Sequence, residues 1–345
     1  MTLILKSNCC KIMKKPIQTD SSVSPDTTPS ANPWETYWKG TRQCSTYKEG
    51  ETDSHILTRE WKQCFNELAY PTVRMLDIAS GYGIVARMAT TAFFSRPHEI
   101  TCVDISESAL RAIADKLPSV TTRVCDASRL PFEDCSFNLI TSQFGIEYAG
   151  EEAFSEAYRV LEPNGTFMVI AHLDGGGIHK ECEANYAALE QFRETLFISR
   201  SIHLLETKMK RESTQAEIDV ALEKAKPAIK ATAELIKKYG RNVAGGTLDK
   251  IFNDVARISR NAQNFAPEEV FKWLKLMEVE MQAYSQRMKS MCTAAIDDHV
   301  ADKIKSTAKS KGIIVNKFEK LPFSKGGKNC AWLIHGTKVV RNESI

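Results

Sequence analysis

The chain lacks the features that would place it in several large classes. Ten cysteines occur among 345 residues, yet no two stand in the Cys-x-x-Cys spacing of a structural zinc site. Cys9 and Cys10 are adjacent and the others are scattered. Cys102 and Cys125 lie inside apolar runs, where cysteine acts as a small core residue. Reduced thiols in a cytoplasmic protein are expected, with no metal site and no disulfide framework. No apolar run reaches the roughly 18 residues of a membrane span. Lys6 cuts short the apolar start Met1–Leu5, so a secretory signal is not expected either. Neither charge sign dominates: 46 basic and 43 acidic residues leave a net +3, which supplies no electrostatic argument for a nucleic-acid or membrane partner. What remains, 43% hydrophobic and 26% charged, is the composition of a soluble globular chain with a sizeable core.

The organisation changes along the chain. Residues 1–32 form a polar tail, rich in Ser, Thr, Pro and Asp over Asp20–Asn32, and are expected to be disordered. Residues 33–71 read as an N-terminal helical segment, with Ile56, Leu57, Trp61, Phe65 and Leu68 at helical spacing. From 72 to 175 the pattern alternates. Strand-like runs at 72–77, 99–104, 120–125, 137–143 and 166–171 frame helix-like runs at 83–94, 106–117 and 151–161. Repeated strand–helix units predict a parallel sheet covered on both faces. From 176 to 309 everything reads as helix; Pro227 either kinks one helix or opens the next, and Gly240 and Gly245-Gly246 are helix stops. Strand signals return at 312–323 and 330–340 around a short turn, predicting an antiparallel hairpin over 310–345. The expected fold is α/β: a Rossmann-like doubly wound sheet, mostly parallel, with a closing antiparallel hairpin and a large helical insertion.

The chemistry concentrates at Leu76-Asp77-Ile78-Ala79-Ser80-Gly81-Tyr82-Gly83. A strand ending in acid and a Gly-rich turn, then opening a helix, begins a nucleoside-binding domain. A second strand ends in Asp104 at the spacing of a carboxylate that accepts from ribose hydroxyls. Asp77 decides the ligand type. A carboxylate beside a pyrophosphate repels it, whereas the same group favours an ammonium or a sulfonium. That turns the reading from a dinucleotide toward S-adenosylmethionine.

The run resembles motif I of class I S-adenosylmethionine-dependent methyltransferases, acid-x-Gly-x-Gly-x-Gly. Asp77, Gly81 and Gly83 match, and Ala79 replaces the first glycine. Further motifs follow in order. Cys125-Asp126-Ala127 is similar to the family's segment after the third strand. Leu130-Pro131-Phe132 and Ser136-Phe137-Asn138 resemble the "LPF…SFD" approach to the fourth strand, with Asn138 for the usual Asp. Arg159-Val160-Leu161-Glu162-Pro163-Asn164-Gly165 resembles the "RVLKPGG" turn. The likeness covers residues 72–171 and most resembles bacterial small-molecule methyltransferases. It implies S-adenosylmethionine as cofactor. Asp77, Ala79, Ser80, Gly81 and Gly83 would hold its amino-acid part. Asp104 would meet the ribose, Asp126 and Ala127 the adenine, and Ile105 and Gln143 would be further cofactor contacts. Trp34, Tyr37 and Trp38 are either packing of an N-terminal helix or an aromatic lid, with Tyr37 and Trp38 the cofactor contacts.

Methyl transfer is an in-line displacement, in which a protein aligns the acceptor and removes a proton where one must leave. His172, at the cleft end of the fifth strand, is the best candidate base; Glu147 and Tyr148 are candidate acceptor contacts. His179 reads as a loop residue. After the fourth strand there is no Asn/Asp-Pro-Pro-Tyr and no Pro-Cys nucleophile, the marks of nucleic-acid methylating enzymes. A small-molecule acceptor methylated on O or N is expected. The insertion reads as a lid over the acceptor or as a homodimer surface, and Lys208, Lys210 and Arg211 as a solvated helix face. The rival readings are an RNA or protein methyltransferase and a non-catalytic, cofactor-binding regulatory protein.

Overall fold

The computed structural model describes residues 34–35, 38, 53–322 and 327–339. The tail 1–32 and Tyr37 lie outside the described residues. The described residues divide into two compact units, one within 37–182 and 290–345 and the other mainly within 183–289.

The first unit is built on a seven-stranded sheet in the order β3-β2-β1-β4-β5-β7-β6. β1 (Val73–Ile78), β2 (His98–Asp104), β3 (Thr121–Val124), β4 (Phe137–Gln143) and β5 (Leu161–His172) are parallel. β6 (Ile313–Pro322) and β7 (Asn329–Lys338) form the hairpin, and β7 runs antiparallel to β5. The fold is therefore the Rossmann-like, mostly parallel sheet with a closing hairpin that the residue pattern predicts. Val73, Met75, Leu76 and Ile78 of β1 are buried, as a strand covered on both faces requires. The covering helices include α1 (Asp53–Glu67), α2 (Ile84–Ala92), α3 (Glu107–Lys116) and α4 (Gly150–Val160). Their apolar stripes supply Trp61, Phe65, Ala89, Ile113, Phe154 and Ala157 to the core.

Asn138 shows why its departure from the family's Asp is harmless. Its Oδ1 accepts from the Arg74 backbone N–H at 2.8 Å, and its Nδ2 donates to the Thr72 carbonyl at 2.9 Å. An amide supplies both a donor and an acceptor, so it ties β4 to the start of β1, which a carboxylate could do only by half.

In the second unit the helices are α6 (Phe197–Met209), α7 (Gln215–Tyr239) and α8 (Thr247–Arg260), with parts of α5 (Gly177–Glu194) and α9 (Pro267–Ala294). A capping box of Thr214 and Glu217 opens α7, Pro227 lies inside it, and Gly240 ends it. Lys208 corrects the expectation of a purely solvated face: its Nζ donates to the Ser259 carbonyl at 2.9 Å and to Ser259 Oγ at 3.0 Å. Lys210 and Arg211 are exposed. The last helix before the hairpin, α10 (Asp298–Ser310), packs on α4 and β6 within the sheet unit. The boundary between the units accordingly falls inside the 176–309 segment read from sequence.

Candidate functional site

The strand order reverses between β1 and β4, and open α/β sheets bind ligands in the crevice at that reversal. Asp77 stands opposite Thr141 there. Its Oδ1 accepts from Thr141 Oγ1 at 2.8 Å, while Oδ2 is buried with no hydrogen-bond partner. Burial raises the Asp77 carboxyl from 3.8 to about 7; the Thr141 hydroxyl and, more weakly, the Ala86 amide, which falls short of hydrogen-bond geometry, pull it down, and the neighbouring Asp104 charge pushes it up. A half-satisfied buried carboxyl held near neutrality is costly, and it is suited to a cationic ligand that arrives with its own donors.

The turn after Asp77 is left-handed at three positions: Ala79 (φ 52°), Gly81 (φ 53°) and Gly83 (φ 72°). Glycine takes this conformation freely, and alanine pays about 1 kcal/mol for it. Ala79 is accommodated from across the sheet. A side chain on Gly145, beyond β4, would place its Cβ 2.5 Å from Ala79 Cβ and 2.8 Å from the Ala79 carbonyl. The methyl gained at 79 thus needs the one missing at 145. Ser80 fixes the turn to β2 through its backbone N–H, which donates to the Val103 carbonyl at 3.0 Å. Trp38 lies against Gly81, where a Cβ would come within 2.9 Å of the indole. The Trp38 and Tyr82 rings are 4.6 Å apart, and the Tyr82 hydroxyl donates to the Trp38 carbonyl.

Asp104 ends β2. Its Oδ2 accepts from Gly81 N at 2.9 Å and its Oδ1 from Ser106 N at 2.8 Å, so one carboxylate joins the glycine turn to the start of α3. Next to it Ile105 is 57% exposed, an unusual setting for a large apolar side chain at a strand end. Asp126 is exposed; its Oδ1 accepts from Ser128 N and Oγ at 2.8 Å each in an Asx turn. Ala127 is buried beneath it. Arg159 braces the segment that follows: Nη2 donates to the Leu130 carbonyl at 3.0 Å and Nη1 to the Phe132 carbonyl at 2.8 Å. Glu156, bonded to Arg159, also accepts from Leu130 N at 2.9 Å. The guanidinium drives the Glu156 carboxyl below its usual range.

Beyond β4, Gln143 is tied to the N-terminal helix, its Oε1 accepting from Trp61 Nε1 at 2.6 Å. Phe144 is left-handed (φ 54°), a costly state for a bulky residue, and its ring centroid lies 4.5 Å from that of His172. Glu147, in the 3-10 turn Ile146–Ala149, reaches the end of β5. Its Oε1 accepts from the His172 backbone N–H at 2.9 Å and pairs with His172 Nδ1 at 2.7 Å. Tyr148 stands edge-on to the same imidazole at 5.8 Å. The candidates His172, Glu147 and Tyr148 therefore form one cluster. His179, expected in a loop, is instead a buried residue in the first turn of α5, its Nδ1 accepting from Gly175 N at 3.3 Å and its Nε2 3.2 Å from Asp174 Oδ1. Thr141 carries no local signal in the sequence, and Trp61 shows there only as a core position.

The site fits S-adenosylmethionine on three counts. The unpartnered Asp77 oxygen suits its cationic amino-acid part, Asp104 its ribose, and exposed Ile105 the face of its adenine. A nucleoside-binding α/β domain is thus defined. Residues 76–169 match the family described as the methyltransferase domain, and the domain is of the class I S-adenosylmethionine-dependent type, with that cofactor. A ubiquinone/menaquinone biosynthesis C-methyltransferase of Dinoroseobacter shibae is 37% identical over 138 residues, covering 36% of this chain and 54% of its own. The mitochondrial 2-methoxy-6-polyprenyl-1,4-benzoquinol methylase of Drosophila melanogaster is 34% identical over 136 residues, 33% of this chain and 45% of its own. The chain thus spans about half the length of these curated relatives. Among solved structures, an S-adenosylmethionine-dependent methyltransferase of Aquifex aeolicus is 8% identical with a TM-score of 0.41, covering 88% of this chain and 98% of that one.

Proposed function

We propose that the chain transfers a methyl group from S-adenosylmethionine to a small-molecule acceptor. One observation carries the reading: the buried Asp77 oxygen lacks a partner at the switch point, beside a glycine turn already fastened by Asp104. Bound there, S-adenosylmethionine would supply an electrophilic methyl. The residues to hold it are Asp77, Ala79, Ser80, Gly81 and Gly83, with Asp104, Ile105, Asp126, Ala127, Gln143 and Trp38. This chain's own work is to bind, to orient and to keep water from the reacting groups.

The acceptor atom is O or N on the residue pattern, and the relatives' names add carbon of a quinol ring. The described cysteines are free thiols, which supports a cytoplasmic setting. No helix among the described residues is long and apolar enough to cross a membrane. Labelled methyl transfer from S-adenosylmethionine to a panel of hydroquinones, phenols and amines tests the activity. Incorporation into one chemical class is the expected outcome. Tight cofactor binding without transfer to any of them would favour the regulatory reading.

A further inference from the structure

The Glu147–His172 pair has a hydrogen-bond pattern that assigns its protons. Both side chains are almost wholly buried, His172 at 4% and Glu147 at 1%. Glu147 Oε1 already accepts the His172 backbone N–H, so it acts as an acceptor toward the ring as well. Nδ1 therefore carries a hydrogen, and the lone pair of the neutral ring sits on Nε2. No hydrogen bond reaches Nε2 among the described residues. Ring faces and edges hold the imidazole in place: Phe144 at 4.5 Å, in a strained backbone state, and Tyr148 at 5.8 Å. The strand end is clamped from the other side, where Ile296 N donates to the His172 carbonyl at 2.8 Å and Trp332 Nε1 to the Ile296 carbonyl at 2.9 Å. Glu147 and Tyr148 are the titratable groups that face the ring.

We infer that Glu147 is a positioning residue that fixes His172 with its hydrogen on Nδ1, so that Nε2 takes the proton from a hydroxyl on a planar, phenol-type acceptor. The inference rests on the methyl-transfer reading above and deepens it. A neutral hydroxyl is favoured over an ammonium because it enters an aromatic surround at less desolvation cost and sets no second cation beside a sulfonium. In the step, the acceptor O–H bond breaks and its proton goes to Nε2, giving an imidazolium neutralised by Glu147. The O–H electron pair stays on oxygen and either forms the bond to the methyl carbon directly or becomes a carbonyl bond while a ring π pair forms that bond from carbon. The sulfur–methyl bond breaks with its pair on sulfur. Where carbon is methylated, the ring carbon then loses its own proton to water and the imidazolium returns its Nε2 proton to the oxygen, restoring the aromatic hydroxyl.

The first test needs no cofactor. The native chain is labelled with ¹⁵N-histidine, and long-range ¹H–¹⁵N spectra are assigned for His172 by comparison with His172→Gln. The hydrogen should sit on Nδ1 in the native chain and in Glu147→Gln, whose amide oxygen still accepts, and should leave Nδ1 in Glu147→Leu. Hydrogen on Nε2 in the native chain, or no change in Glu147→Leu, would overturn the assignment. The second test measures transfer to hydroquinone and to aniline. His172→Gln should lower kcat about 100-fold at unchanged KM for S-adenosylmethionine, with Glu147→Gln retaining more activity than Glu147→Leu. Transfer to aniline alone, transfer to neither, or full rate in His172→Gln would overturn the base and acceptor roles. Calorimetry with S-adenosylmethionine runs beside both; loss of binding there would instead sink the methyl-transfer reading.

Discussion

Asp77→Asn is the most informative single change. The Asp77 carboxyl rises from 3.8 to about 7 on burial, so the folded chain holds that proton more tightly than the unfolded chain does. Its contribution to stability is full below the lower value and is lost as pH rises to the upper one. Each unit is worth about 1.4 kcal/mol, which sets a ceiling of about 4 kcal/mol on the loss, somewhat more than half of it falling between pH 5 and pH 8. Asparagine keeps the shape and carries no charge. In urea denaturation of the ligand-free chain, the variant should gain on the native protein by about 2 kcal/mol between pH 5 and pH 8. A cationic ligand reverses the preference and favours the carboxylate. Titration with S-adenosylmethionine at pH 6, in two buffers of different ionisation enthalpy, should therefore show the native chain releasing close to one more proton than Asp77→Asn. An equal stability difference at both pH values, or equal proton release, would refute the reasoning.

Other changes test the parts around it. Gly145→Ala should cost about 2 kcal/mol in urea denaturation, because the new methyl runs into Ala79 and its carbonyl. Ala79→Gly should stabilise by about 0.5 kcal/mol, the relief of the left-handed alanine slightly exceeding the added chain entropy. An outcome of the opposite sign would remove the compensation between 79 and 145. Arg159→Met frees the carbonyls of Leu130 and Phe132 and should raise KM for S-adenosylmethionine about tenfold with kcat little changed. A fall in kcat alone would show that the brace does not serve the adenine end.

Much of this was legible in the residues. Acid-ended strands and a glycine turn at regular spacing announce a parallel sheet and its ligand crevice, because those signals are local. The pairing of Glu147 with His172 was not, since the two are 25 residues apart in sequence and meet only where β4 and β5 run side by side. Ala79 read as a mild departure from glycine; that it stays left-handed and leans on Gly145 depends on a close approach no spacing encodes. Trp61 fits a helical core stripe, and its hydrogen bond to Gln143 lies outside that pattern. Helical periodicity likewise found α10 without saying that it packs on α4 and β6.

The central claim is that this crevice holds S-adenosylmethionine through its strand-end acids. Equilibrium titration of the native chain against Asp104→Asn tests it most directly. The account predicts saturable one-to-one binding, weakened about 10- to 100-fold in the variant through loss of a charge-assisted hydrogen bond. Equal affinity in the two, or no binding to the native chain, would contradict it.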